Sequence, residues 1–495
     1  MNILPPHHHG TADEKQLHNT VRLLSSILGR VILRIEGRSY FEAVEYLRTV
    51  CRDRREQSSD TLNLEEILGQ IEKWPVEKTA IVARAFALFF LLINTAEQVQ
   101  LAAGSAEKSA EKAETDTRFP RGSFRWALTE LKKNGHTGDE VADFLGRMEV
   151  HPVLTAHPTE ATRHTVLDLQ ARIAEILTSR NTCEPEEETD IEEELESEIE
   201  MLWLTAEVRS DRPSVMHEVS NVLWYLHHRF LETETLTIQK IHRDFESEFG
   251  RSINVPPLFR IGSWVGGDRD GNPNVTPRAT LAAARHNGET VVNDYIARIA
   301  QLTEALSLST LIKDVPKELR DSFEKDRTDL PEVWETNRGR NAHEPLRLKL
   351  SFIQKRLQHT IEKIGGGDAG EKAYKSAEDF YKDMLLVKQS LIFVQAEYSA
   401  RQFIDPLLTL IDIHGFFGFI MEIREDARVH AAALEDICRT IQIPTLDEQS
   451  ITAELLGRRP LLSEHLPVAE QTWNVYRVFQ TIRTIQQSMG EKTVS

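Results

Sequence analysis

Two short runs carry residue types that folding alone rarely asks for. One is Val153-Leu154-Thr155-Ala156-His157-Pro158-Thr159-Glu160-Ala161 and the other is Gly262-Ser263-Trp264-Val265-Gly266-Gly267-Asp268-Arg269-Asp270-Gly271-Asn272-Pro273-Asn274. Each follows a few apolar residues and precedes a helix-forming stretch, so each sets titratable side chains on a turn at a helix N-terminus. Free backbone N–H groups and the positive end of a helix dipole meet at such a place, and anions are welcome there. An imidazole at His157 can stabilise negative charge or move a proton near neutral pH. A structural histidine capping the turn fits the local sequence equally well, and both readings stand at this point. His151, His157 and His164 run through a strand, a turn and a helix without the i,i+3 or i,i+4 spacing of helical zinc pairs, which disfavours a metal.

The second run admits several readings. Asp268-Arg269-Asp270-Gly271-Asn272 opens like a calcium loop, but Pro273 stands where the hairpin glycine belongs and the twelfth position is Ala279 instead of Glu. Gly266 and Gly267 suit a phosphate cradle, although glycines alone are weak evidence. A tight turn with an internal Asp–Arg pair is the plain alternative. Trp264, Arg269, Asp268 and Asp270 together on one turn favour a site. Arg424 closes a third apolar run and Arg428 follows one helical turn later. A guanidinium there can fork onto a phosphate or carboxylate, whereas an ion pair with Glu425 or Asp426 is its commoner use.

These turns need elements to hold them. Leu23, Leu24, Ile27, Leu28, Val31 and Ile32 recur at three- and four-residue steps, and similar stripes run through Ile81–Val99, Leu195–Leu204, Val222–Ile241, Val291–Leu306 and Leu346–Ile364. Most of the chain is therefore expected to be helix. Breaks are expected at Gly104–Thr117, Cys183–Asp190 and Gly365–Gly370, and Glu184–Glu200 reads as a solvated loop and helix face. Three candidate strands interrupt the pattern: His151–Ala156, Leu258–Val265 and Phe416–Ile423. Each leads through a charged turn into a helix. Thr159 is the expected N-cap of the first, with Val166, Leu169, Ile173 and Ile176 as its stripe. Thr276-Pro277 opens the second, and the third begins near Asp426 or Ala427. Strand, turn and helix form the unit of a parallel α/β architecture, whose sites gather at the strands' carboxyl ends. Three units are too few to close a barrel. Lys492-Thr493-Val494-Ser495 reads as the start of another strand.

The 495 residues carry 78 acidic against 59 basic side chains and a formal charge of −19, so a nucleic acid or an anionic membrane is not expected as a partner. A small anionic substrate requires arginines gathered locally. Phe86–Ile93, the longest apolar cluster, is far short of a span and reads as buried helix. The first residues do not read as a basic apolar leader, so secretion is not expected, and His7-His8-His9 reads as a tail. Cys51, Cys183 and Cys438 are far apart, as expected of reduced thiols in the cytoplasm.

With these residues in hand, the chain resembles the amino-terminal part of the phosphoenolpyruvate carboxylase family. Val153 to Glu160 is similar to that family's histidine signature, and Ser263 to Thr276 to its glycine/aspartate signature. Weaker matches are Arg22-Leu23-Leu24 with Leu28-Gly29, Asn94 with Ala96-Glu97, Arg209 with Arg212-Pro213-Ser214, Glu344-Pro345-Leu346-Arg347 and Glu422-Ile423-Arg424-Glu425. Ala206 and His217 depart from it, each standing where an acid is usual. The resemblance implies a mainly α fold, with many helices around a few parallel strands of an incomplete β/α (TIM-like) barrel. Residues 1–495 would form the amino-terminal part of one unit, with 1–118 a helical region and 119–495 carrying the first barrel strands. The carboxy-terminal half would be absent.

The implied reaction joins bicarbonate to phosphoenolpyruvate, giving oxaloacetate and phosphate through carboxyphosphate and an enolate. It uses Mg²⁺ or Mn²⁺ in a cytoplasmic homotetramer. By position, His157 would deprotonate carboxyphosphate, Arg424 would hold the phosphate and Trp264 would wall the bicarbonate pocket. Gly266, Gly267, Asp268 and Asp270 would shape the mouth of the site, with Arg269 and Arg428 among its cations. The metal ligands belong to the missing half, so the chain alone is expected to be inactive. The competing expectations are a non-catalytic helical binding or regulatory protein, and a truncated inactive fragment with a vestigial anion pocket.

Overall fold

The computed structural model describes residues 12–56, 64–111, 119, 121–155, 163–180, 187–206, 214–253, 258–443, 447–457 and 465–495. The chain divides into two compact units, Met1–Ala127 with Thr159–Arg212, and Leu128–Pro158 with Pro213–Ser495. Helices dominate both, with a few parallel strands in the second.

In the first unit, helices Ala12–Ile35, Val76–Glu111, His164–Arg180 and Glu188–Leu204 pack their stripes together. Leu24, Ile27, Leu28, Val31, Leu88, Leu92, Ile173 and Ile199 are buried there. Each such side chain contributes roughly 1.5–3 kcal/mol when removed from water. Val76–Ala102 is long and apolar enough to cross a membrane by length and composition. One face of it, with Val82, Ala85, Leu88, Leu92 and Ala96, lies in this core. The acidic helix Glu188–Leu204 is less free than its composition suggests. Glu196 pairs with Arg30 and Arg34, and Glu198 with Arg172. Exposed pairs of this kind are worth about 0–1 kcal/mol each.

In the second unit, β1 (Val153–Leu154), β2 (Gly262–Ser263) and β3 (Ile420–Met421) form a parallel sheet in sequential order. Gly262 pairs with Val153 on one side and Ile420 on the other. Single bridges extend the pairing at Val150–Phe259, Asp268–Arg424 and Met421–Val494. The last seats the chain's final residues beside β3, where Ser495 donates to the Met421 carbonyl at 2.9 Å. The expected strands are thus present but shorter, with only two residues of each in register: Val153–Leu154 and Ile420–Met421 flank Gly262–Ser263.

Helices cover this sheet. Thr276 caps the helix Pro277–Ala305 by accepting the Ala279 N–H, with proline at the first helical position. That helix buries Ala284, Val291, Tyr295 and Ile299 in one core with Leu350, Ile353 and Leu357 of the helix Pro345–Ile364. Gly288 allows its close approach, since a Cβ there would stand 2.7 Å from the Phe416 carbonyl oxygen. The expected continuous stripe Val222–Ile241 is broken by a π-turn at Leu226–Phe230. The wider turn sets Leu226 and Leu231, five residues apart, both into the core. His217 takes part in the start of the helix Val215–Tyr225. Its Nδ1 accepts the Ser214 N–H at 3.3 Å and completes a capping box with Ser214.

Candidate functional site

His157 lies outside the described residues, as do Pro158, Thr159, Glu160, Cys183 and the His7-His8-His9 run. The helix after β1 is described from His164 onward. The remaining sequence-derived site residues fall in the second unit, at the carboxyl ends of β2 and β3.

The Gly266–Asn274 turn is fixed to the end of β3 by backbone. Arg269 N–H donates to the Arg424 carbonyl at 2.9 Å, and Arg424 N–H to the Gly267 carbonyl at 3.1 Å. A Cβ on Gly267 would stand 2.3 Å from the Glu422 carbonyl oxygen, and one on Gly266 (φ +81°) 2.5 Å from the Ala283 Cβ. Packing against β3 and the covering helix therefore accounts for both glycines. Asp268 Oδ1 accepts the Asp270 N–H at 3.2 Å, and Asn272 Oδ1 the Asn274 N–H at 3.1 Å, two side-chain turns that stiffen the loop.

The charged side chains pair across the two strand ends. Asp268 Oδ2 accepts from Arg424 Nη1 at 3.3 Å, and Glu425 Oε2 accepts from Arg269 Nε at 3.1 Å. The Arg424 guanidinium lies 3.8 Å from the centre of the Trp264 ring. The indole N–H donates to Glu422 Oε2 at 2.8 Å, while Glu422 Oε1 lies 3.5 Å from His151 Nε2. Arg424 is 41% exposed and Arg269 only 13%, so the former is open to a ligand while the latter braces the turn. Arg269 Nη1 is buried without a hydrogen-bond partner. Arg428 forks onto Asp426, the N-cap of the helix Ala427–Thr440. The Arg428 guanidinium and N–H hold the Asp426 carboxyl down to about 2. Asp270 is exposed and adds to the negative field at Arg428. A cavity of about 400 Å³ adjoins these residues, lined by Arg269, Glu425, His430, Ile423, Phe479 and Val494 among others.

This arrangement can hold an oxyanion by a guanidinium already placed over an aromatic ring. It does not form a metal centre. Among the described residues no group of three or more His, Cys, Asp or Glu is placed to hold an ion. Glu422, Asp268 and Glu425 are each engaged by an N–H or a guanidinium.

Sequence reasoning left Glu422 without a role and considered His151 only for zinc. A signal was present. Glu422 and Arg424 are two apart in an extended segment, so both face one side of it.

The family model described as phosphoenolpyruvate carboxylase matches residues 17–495. The phosphoenolpyruvate carboxylase of Roseiflexus castenholzii is 30% identical over 513 residues, covering 98% of this chain and 53% of the relative. That of Rhodothermus marinus is 31% identical over 491 residues, covering 97% and 52%. That of Nitrosomonas europaea is 28% identical over 520 residues, covering 99% and 53%. The chain spans about half the length of the curated relatives it matches.

Proposed function

The chain belongs to the phosphoenolpyruvate carboxylase family, and from that premise we propose that it supplies the amino-terminal half of a site that carboxylates phosphoenolpyruvate. The observation that carries this reading is the Arg424 guanidinium, seated over the Trp264 ring beside the Gly266–Asn274 turn and partly open to solvent.

In the proposed reaction a bicarbonate oxygen attacks phosphorus and the bond to the enol oxygen breaks. Carboxyphosphate and an enolate result. His157 takes the carboxyphosphate proton, releasing carbon dioxide and phosphate, and the enolate carbon captures the carbon dioxide as oxaloacetate. Arg424 neutralises phosphoryl oxygens as charge redistributes, the role that fixed cations serve best in a site closed to water. Trp264 walls that pocket, keeping water from protonating the enolate. Arg269 holds the turn, and Asp268 and Asp270 border its mouth with Gly266 and Gly267. Arg428 serves as a further cation once released from Asp426. The divalent Mg²⁺ or Mn²⁺ of this chemistry would take its ligands from the half of the family's length that this chain does not span. A homotetramer in the cytoplasm, with no nucleic acid or membrane partner, belongs to the same reading.

The test is complementation. This chain, alone and mixed or fused with the second half of a family relative, is assayed for oxaloacetate with bicarbonate, phosphoenolpyruvate and Mg²⁺. We expect turnover only in the completed protein, and its loss in His157→Ala with the thermal transition retained. Robust turnover by the chain alone contradicts the need for the second half. Normal turnover in the His157 variant contradicts the proton role.

A further inference from the structure

We propose that Glu422 is a positioning residue of this site, acting through Trp264 on Arg424; the proposal rests on the carboxylation reading above. Both oxygens of the Glu422 carboxylate face a neighbour. Oε2 takes the indole N–H at 2.8 Å and Oε1 faces His151 Nε2 at 3.5 Å. Gly262 makes this meeting possible. A Cβ on that residue would stand 2.8 Å from Glu422 Oε1 and 2.9 Å from His151 Nε2. Three neighbouring chain segments therefore converge on one carboxylate: His151 just before β1, Gly262 in β2 and Glu422 just after β3.

The consequence lies on the far side of the indole. Its N–H edge is pinned by Glu422 and its face carries the Arg424 guanidinium at 3.8 Å. A carboxylate accepting the N–H pushes electron density into the ring, which strengthens the ring's attraction for a cation. Among the described residues, the other side-chain hold on Arg424 is Asp268 at 3.3 Å, long for a charge-assisted bond. The pose of the guanidinium thus depends mainly on the indole, and the pose and charge of the indole depend on Glu422. An arginine gripped by its face keeps N–H groups at its edge for a phosphate. If Glu422 only satisfied the indole N–H, a glutamine carbonyl would serve as well.

Glu422→Gln keeps the acceptor and removes the charge, and so separates the two roles. The first measurement uses the full chain alone, with inorganic phosphate as probe and the Trp264 fluorescence as signal, identified by its loss in Trp264→Phe. We expect wild type to bind phosphate and Glu422→Gln to bind it about fivefold more weakly, the scale of a partly desolvated cation–π contact. The second uses the completed enzyme, where the KM for phosphoenolpyruvate should rise by a similar factor while kcat stays within about twofold. Should Glu422→Gln fold poorly, Glu422→Asp retains the charge and should fall between the two. Equal phosphate affinity in wild type and Glu422→Gln overturns the proposal, as does an unchanged KM. If the completed protein makes no oxaloacetate, the carboxylation reading fails by itself, and the phosphate comparison still decides the role of Glu422.

Discussion

Replacing Gly267 by alanine should lift the turn off the end of β3. The added Cβ would lie 2.3 Å from the Glu422 carbonyl oxygen and 3.1 Å from its carbonyl carbon and from Met421 Cγ. The first two are backbone atoms, so no rotamer change relieves the clash. Met421 and the Glu422 backbone are held on both sides by the parallel neighbours, since Glu422 N–H donates to the Ser263 carbonyl and Ser495 N–H to the Met421 carbonyl. The turn itself must move, and its two backbone bonds to Arg424, at 2.9 and 3.1 Å, stretch or break. Two such bonds are worth about 1 kcal/mol each, and overpacking adds about 1–3 kcal/mol. We expect a loss of about 3–5 kcal/mol in urea unfolding of the full chain. Gly271→Ala is the internal comparison: its φ is +69° but the space around it is empty. Only the left-handed backbone then opposes the substitution, at about 1 kcal/mol. A Gly267→Ala variant as stable as Gly271→Ala would refute the packing account and return that glycine to a role in ligand contact.

Two further measurements bear on the scaffold. Burial alone would lower the His414 pKa, but the Glu234 carboxylate, 2.6 Å from Nε2, outweighs it and the pKa is raised. A histidine whose folded pKa exceeds its unfolded value lends stability below about 6.5, lost as pH rises through the folded value. Unfolding free energy should therefore fall as pH rises above neutrality. Glu234→Gln should flatten that slope, and an unchanged slope would remove the pair from the account. Thr276→Ala should cost about 1 kcal/mol by leaving the Ala279 N–H uncapped, while a change within error in thermal melting would contradict the cap.

Much of this protein was legible along the chain because its signals are local. The apolar steps from Leu24 to Ile32 announce a helix whose face is buried. Thr276-Pro277 and Asp426 mark helix starts that the structure places where expected. The three strands were visible as apolar interruptions followed by charged turns, whereas the strand start expected at Lys492–Ser495 is a 3-10 turn over Glu491–Thr493 with a single bridge at Val494. The π-turn at Leu226 was not, since a five-residue step looks like the end of a stripe until both leucines have a core to enter.

Ion-pair partners were the least legible feature of the site. Sequence neighbours suggested that Arg424 pairs with Glu425 or Asp426, and that Arg269 pairs within its own turn. Instead Arg424 takes Asp268 and Arg269 takes Glu425, each across 156 residues, while Arg428 alone keeps the local partner Asp426. Sequence by itself determined residue types, turn chemistry and helical faces, because caps, glycines and apolar spacing act within a few residues. Only the tertiary structure decided which carboxylate meets which guanidinium and that Glu422 meets Trp264. Those meetings follow from parallel register, which sets Gly262 beside Ile420 and so brings two distant strand ends within hydrogen-bond reach.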